Sequence, residues 1–176
     1  MNFIAIDPGY AARGKGSAVA RFARCRLMCV CFARPETVRV GDLLQADDIS
    51  TVVWECPQVD SRTRTSVPAI VQLAAVGGTL AGLYAGANNA VVVPVTPSQW
   101  KGTVPKPVHH WRMWMRLQDD ERTLLGGAET ERAIDAARRK GARDRWGKPG
   151  ASYYPSSFHM HNLLDAVGIG KWWIAQ

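Results

Sequence analysis

The feature that most constrains this chain occurs twice: a short apolar run that ends on an acid and is stopped by a proline. The chain begins Asn2-Phe3-Ile4-Ala5-Ile6-Asp7-Pro8-Gly9, and Ser50-Thr51-Val52-Val53-Trp54-Glu55-Cys56-Pro57 follows the same plan. Short apolar runs bounded by turn residues are strands buried on both faces of a sheet. Proline cannot donate to a strand ladder, so each strand ends beside its acid. Asp7 and Glu55 are therefore expected at the rim of the sheet. Either acid alone would read as a solvated turn residue; two with the same flanks point to a shared carboxylate site.

At 176 residues the chain is expected to form one domain over residues 1–176, with a core that needs no disulfides. Lys and Arg total 22 against 15 Asp and Glu, a net charge of +7 with a pI near 9.6, which suits a polyanionic partner, most simply nucleic acid. With 47% apolar and 21% charged residues, wholesale disorder is excluded. The longest apolar stretch, Val67 to Ala87, is interrupted by Pro68, Gln72, Gly77, Gly78 and Gly82 and has no basic flanks. It is expected to be a buried helix, not a membrane anchor, and its glycines imply close packing on the sheet or a second subunit. The start shows no basic leader or cleavage site, so a cytoplasmic protein is expected. Cys25, Cys29, Cys31 and Cys56 lack paired CxxC spacing and are expected to be buried thiols, not zinc ligands.

Along the chain, a basic loop from Tyr10 to Gly16 leads to strands at Ser17–Arg24 and Leu27–Phe32, turning at Arg24 to Arg26 and making an antiparallel meander with the first strand. Asp42–Asp48 reads as a short helix, and Gln58–Ser66 as a polar loop carrying Arg62 and Arg64. Ser66 and Pro68 open the long apolar helix, Asn88-Asn89 ends it, and Val91–Val95 is expected to be a strand buried on both faces. The Thr96–Lys106 loop feeds a helix starting near Pro105. On it a period of 3.6 puts His109, Arg112 and Arg116 on a cationic face and Val108, Trp111 and Met115 on a core face. Lys101, Lys106 and Arg112 suit backbone phosphates, although a merely solvated helix fits the same pattern. Trp100, Trp111 and Trp114 are expected in the core more than stacked on bases. Glu129–Lys140 reads as a helix. The basic run Arg138, Arg139, Lys140, Arg143, Arg145 and Lys148 is expected to be a mobile loop that orders on nucleic acid. In the last helix Asn162 and Asp165 share a face, and a carboxylate on so apolar a helix needs a cation or donors.

Asp7, Glu55 and Asp165 form a set of hard oxygen ligands suited to Mg²⁺, with Mn²⁺ as its substitute. With a polyanionic substrate the chemistry that follows is phosphodiester hydrolysis. His159 and His161 could ligate or shuttle protons, or simply cap the helix. The ordered set of Ile6-Asp7-Pro8-Gly9, Trp54-Glu55, a Gly/Ala helix, a strand followed by Lys101-Gly102 and Lys106, and Asn162-Leu163-Leu164-Asp165-Ala166 resembles the RuvC family of Holliday junction resolvases. The resemblance implies an α/β, RNase H-like fold with a mixed central sheet. It also implies a homodimer that nicks four-way or other branched DNA with Mg²⁺, leaving 5′-phosphate and 3′-hydroxyl ends. Asp7, Glu55 and Asp165 would be metal ligands, and Lys101 and Lys106 would lie on the DNA-facing segment. Asn162 stands where bacterial members carry an acid or histidine, and Arg62 and Arg64 stand where many carry an aromatic, so the likeness is to divergent, phage-type members. Two other readings remain: a catalytically weak DNA-binding module on the same fold, which Asn162 favours, and an actin-like or sugar-kinase ATPase, for which a second phosphate loop is missing.

Overall fold

The computed structural model describes residues 1–9, 16–36, 38, 48–58, 66–143, 153–155 and 158–176. Residues 42–47 of the expected Asp42–Asp48 helix, most of the Tyr10–Gly16 loop, Arg62, Arg64, Arg145 and Lys148 lie outside the described residues. The apolar runs form five strands, β1 (Asn2–Asp7), β2 (Ser17–Ala23), β3 (Arg26–Ala33), β4 (Thr51–Glu55) and β5 (Val91–Val95), in the order β3-β2-β1-β4-β5. The meander β1-β2-β3 is antiparallel, while β4 and β5 add parallel to β1. This is the RNase H-like arrangement. Arg24 and Cys25 both have positive φ, 50° and 66°, the backbone of a primed two-residue hairpin turn whose twist matches its strands.

Both edges of the sheet differ from expectation. Val91 is 65% and Val92 40% exposed, because β5 is an edge strand that α1 covers only in part. Pro94 within it is itself an edge-strand signature. Cys25, Cys29 and Cys31 are exposed and Cys56 is half-buried, which corrects the buried-thiol reading. Cys29 and Cys31 are two apart on β3, the opposite edge, and so share its open face; Cys25 sits in the hairpin turn.

Six helices are described: α1 (Val67–Asn88), α2 (Pro97–Trp100), α3 (Lys106–Trp114), α4 (Asp119–Leu124), α5 (Gly127–Arg143) and α6 (Met160–Ile174). One face of the sheet buries Ile4, Ile6 and Val52 against Leu80, Ala81, Tyr84 and Ala85 of α1. The other buries Phe3, Ala5 and Val53 against Leu164, Val167 and Ile169 of α6, with α3 and α5 packed outside. By length and composition α1 could cross a membrane, with a mean hydropathy of 1.5, but it lies along β4, β5 and β1. Among the described residues it is covered on one side only. Val71, on the outer side, is 60% exposed, so the buried-helix reading holds for one face.

Helix α3 is also turned from its expected phase. Its buried residues are Pro107, His110, Met113 and Trp114, while Met115 is 57% exposed. A hydropathy pattern scores His110 as polar, yet here it lies wholly inside, and that moves the core stripe around the helix. The basic run after Asp135 begins as helix, with α5 continuing to Arg143, and Arg138 and Arg139 pair with Asp135 on the same helix.

Two glycines permit the layers to close. At Gly77 a Cβ would stand 2.6 Å from Pro8 Cγ and 2.8 Å from Trp54 Cε3, so α1 rests directly on the neighbours of both strand acids. At Gly170 a Cβ would overlap the Phe22 ring. That ring is stacked on Phe3 at 4.7 Å with 1° between planes and has no room to swing. One buried charge ties three elements together. Glu121, 1% exposed, accepts from the N–H of Leu27 at 2.8 Å, the N–H of Gln118 at 3.0 Å and Lys171 Nζ at 2.7 Å. Burial opposes its ionisation, but these donors outweigh burial and hold the carboxyl below its usual value.

Two outcomes are expected. Alanine is favoured over glycine inside a helix by about 1 kcal/mol, but overpacking costs about 1–3 kcal/mol. Gly170→Ala will therefore lower stability in urea unfolding, and it will do so through Phe22. Glu121→Gln will lower stability by about 1–3 kcal/mol at neutral pH. Because the folded-state pKa is depressed, this contribution is complete above the ordinary value of 4.5 and is lost as pH falls through the folded-state pKa. The wild type's advantage over the variant should shrink as the medium is acidified below 4.5, read as converging denaturation midpoints.

Candidate active site

Strand geometry puts two acids side by side. Ile6 pairs with Trp54 in the parallel β1–β4 ladder, so Asp7 and Glu55, one residue on, are neighbours at the same end of the sheet. Side chains alternate along a strand. Asp7 therefore shares a face with Phe3 and Ala5, and Glu55 with Val53, which is the face covered by α6. Helix α6 brings Asp165, 4% exposed, to the same place.

Each acid has its own surroundings. Glu55 Oε2 accepts from Trp100 Nε1–H at 2.6 Å and has Lys101 Nζ at 3.6 Å. Trp100 is held by α2, whose Thr96–Gln99 capping box shapes the turn after β5. Gly168 of α6 lets it approach, since a Cβ there would lie 2.8 Å from the indole. Asp165 Oδ1 accepts from His110 Nε2 at 2.9 Å, and Oδ2 pairs with Lys106. On its other side His110 Nδ1 lies 2.8 Å from the Tyr154 hydroxyl. The Asp7 carboxylate receives no hydrogen bond from any described residue.

Electrostatics separates the acids. Burial, then the charges of Asp165 and Glu55, push the Asp7 carboxyl well above the usual range. Burial works against Asp165 too, but Lys106 and His110 overcome it and hold that carboxyl well below the usual range. Burial also opposes the charge on Lys106, yet the surrounding acids raise its pKa, so it stays an ammonium. His110 is lowered chiefly by burial, and His161 is lowered to about 4 by burial and then by Lys106. Both imidazoles are thus neutral near pH 7, and their tautomers follow from their partners. His110 donates from Nε2–H to Asp165 and accepts at Nδ1 from Tyr154. His161 accepts at Nδ1 from Lys106, 3.3 Å away.

Asn162 lies half-buried one turn before Asp165, and His159 is the N-cap residue of α6 without a side-chain capping bond. Lys106, expected on the DNA-facing segment, turns inward to Asp165, Lys101 turns to Glu55, and Arg112 is exposed on α3. Trp100 and Trp114 are core residues, as expected. The residues missed in the sequence are Trp100 as the donor to Glu55, and His110 and Tyr154 behind Asp165. Lys106 and His110 are four apart, one turn of helix, and that spacing was a legible signal; Tyr154 carried none.

Among the described residues no group of three His, Cys, Asp or Glu side chains stands ready to hold an ion. The Lys106 ammonium instead pairs with Asp165 and feels the charges of Asp7 and Glu55. The donors are carboxylate oxygens, and Asp7 is an acid that burial and then its neighbours destabilise as an anion. Both facts fit a hard divalent cation, which Asp7, Glu55 and Asp165 could hold with the Asn162 amide oxygen.

No family model matches the chain and no curated protein matches it. Among solved structures it is similar to RuvC of Thermus thermophilus, at 19% identity over 98% of this chain and 92% of that chain, with a TM-score of 0.48. It is also similar to RuvC of the same organism in complex with Holliday junction substrate, at 18% identity over 98% of this chain and 91% of that chain, with a TM-score of 0.43.

Proposed function

We propose that this protein is a divalent-metal-dependent, structure-selective endonuclease that hydrolyses phosphodiesters in branched DNA such as four-way junctions. The observation that supports it most is that Asp7 and Glu55 end adjacent parallel strands on the sheet face that α6 covers, and that α6 carries the buried Asp165. Mg²⁺, or Mn²⁺ in its place, would be held by these acids and Asn162, and when bound it supplies an activated water and neutralises charge on the scissile phosphate. The chain's own groups do the rest. Trp100 fixes one Glu55 oxygen, and His110 fixes one Asp165 oxygen with Tyr154 behind it. Lys101 and Lys106 keep two cations at the rim, where a phosphate oxygen would compete for them with Glu55 and Asp165. Arg112, exposed on α3, extends the positive surface, and Arg62 and Arg64, outside the described residues, are proposed as further DNA contacts. The outward apolar residues Val67, Val71 and Leu83 of α1 favour a homodimer. The protein would act in the cytoplasm.

The second reading is a DNA-binding module that does not cut, favoured by the amide at Asn162. A labelled four-way junction with Mg²⁺ separates the two. The wild type is expected to nick it, and Asp7→Asn to nick about a hundredfold more slowly or not at all, with binding kept. Binding with no metal-dependent cut by the wild type would establish the second reading. His110→Ala, which removes the support of Asp165, is expected to weaken Mn²⁺ binding in calorimetry by about 10–100-fold. Unchanged Mn²⁺ affinity would show that His110 serves packing alone.

A further inference from the structure

Behind the acids, on the side of Tyr154, lies a cleft of about 590 Å³ between α5 and the segment around Tyr153–Pro155 and Phe158. Its volume is that of a small-ligand site. The α5 side is made of small residues, Ala133, Ala136 and Ala137, which leave the helix surface flat enough for a planar ring. The facing wall is aromatic: Tyr153 and Phe158 line it, and Phe158 stacks on Tyr154 at 5.2 Å with 24° between planes. At one end stand Lys140 and Arg143, three residues apart on α5 and both exposed. Their neighbours Arg138 and Arg139 are both paired with Asp135, whereas Lys140 and Arg143 form no ion pair among the described residues. Glu129, one of the remaining lining residues, is an acceptor suited to an exocyclic amino group.

A flat apolar slot, an aromatic wall and two exposed cations are the elements of single-stranded nucleic-acid binding: a π-face for the base and positive charge for the backbone. We infer that this cleft receives one unpaired nucleotide of the DNA substrate, with the base against Tyr153 and Phe158 and the phosphate at Lys140 and Arg143. The inference rests on DNA being the partner, not on hydrolysis. The cleft is also linked to Asp165 through two hydrogen bonds. Tyr154, which lines it, holds the His110 ring 2.8 Å away, and His110 holds Asp165. A base seated on the aromatic wall would therefore stiffen the support of Asp165. A duplex, whose bases are stacked inside the helix, offers only phosphates here, so the cleft favours DNA with an unpaired end or branch.

The test uses the full chain in EDTA with a duplex carrying a short single-stranded flap that contains 2-aminopurine, beside the same duplex without the flap. The wild type is expected to quench the probe on binding and to prefer the flapped DNA by about tenfold. The Lys140→Glu/Arg143→Glu double variant, changed only at exposed positions, should lose that preference. Phe158→Leu, which keeps apolar volume and removes the ring, should lose the quench; cooperative thermal unfolding checks that the variants are folded. An unquenched probe on bound wild type, or an equal loss of affinity for both DNAs in the double variant, would overturn the inference. Quenching in EDTA without junction nicking in Mg²⁺ would keep the cleft and refute the nuclease; nicking without quenching would do the reverse.

Discussion

The parallel pairing of β1 with β4 is the interaction on which the rest of the structure depends. It sets Ile4 against Val52 and Ile6 against Trp54, and through the two-residue alternation of a strand it assigns every side chain to one of two cores. A slip of one residue would send Asp7 to the α1 face, away from Asp165, and bring Ile6 to the α6 face. The burial of Ile4, Ile6, Val52 and Val53, all at most 2% exposed, therefore fixes the position of the acids as firmly as it fixes the sheet. The site and the core share one register.

Around that register the protein balances a dense group of charges. Three acids close together in a region poor in water would repel one another, and burial alone raises the cost of each. The chain answers with two lysines from the segment after β5 and with donors that are neutral near pH 7, Trp100 and His110. Asp165 is the settled member, since it has both a cation and a neutral donor. Asp7 is the unsettled one. Such unequal neighbours are typical of functional sites, where a group is kept out of its most comfortable state by the rest of the fold.

Much of this frame could be read in the sequence because it is carried by local patterns. The strands are short, apolar and bounded by turn residues, and two of them end on acids; the last helix shows Asp165 among apolar neighbours. What could not be read is which faces other elements would cover. The valines of β5 have the composition of a central strand but lie at an edge, and Cys29 and Cys31 look like core thiols but face outward from the other edge. His110 is the opposite case, a polar residue wholly inside because Tyr154 and Asp165 are both there to meet it. Tyr154 is 44 residues from His110, and no spacing rule reaches that far.

Pro94 has a consequence for how copies of this protein can associate. In β5 the N–H of Val91 bonds to Ser50 and the carbonyl of Val95 accepts from Cys56, both toward β4. Backbone groups alternate in direction along a parallel ladder, so the nitrogen of Pro94 points the other way, to the open side. A strand arriving there would find a donor missing from the middle of a five-residue edge. The sheet is closed to extension on that side without being covered. A second copy approaching on that side would meet α1 through side chains, and its symmetry would be set by helix packing instead of by a continuous sheet.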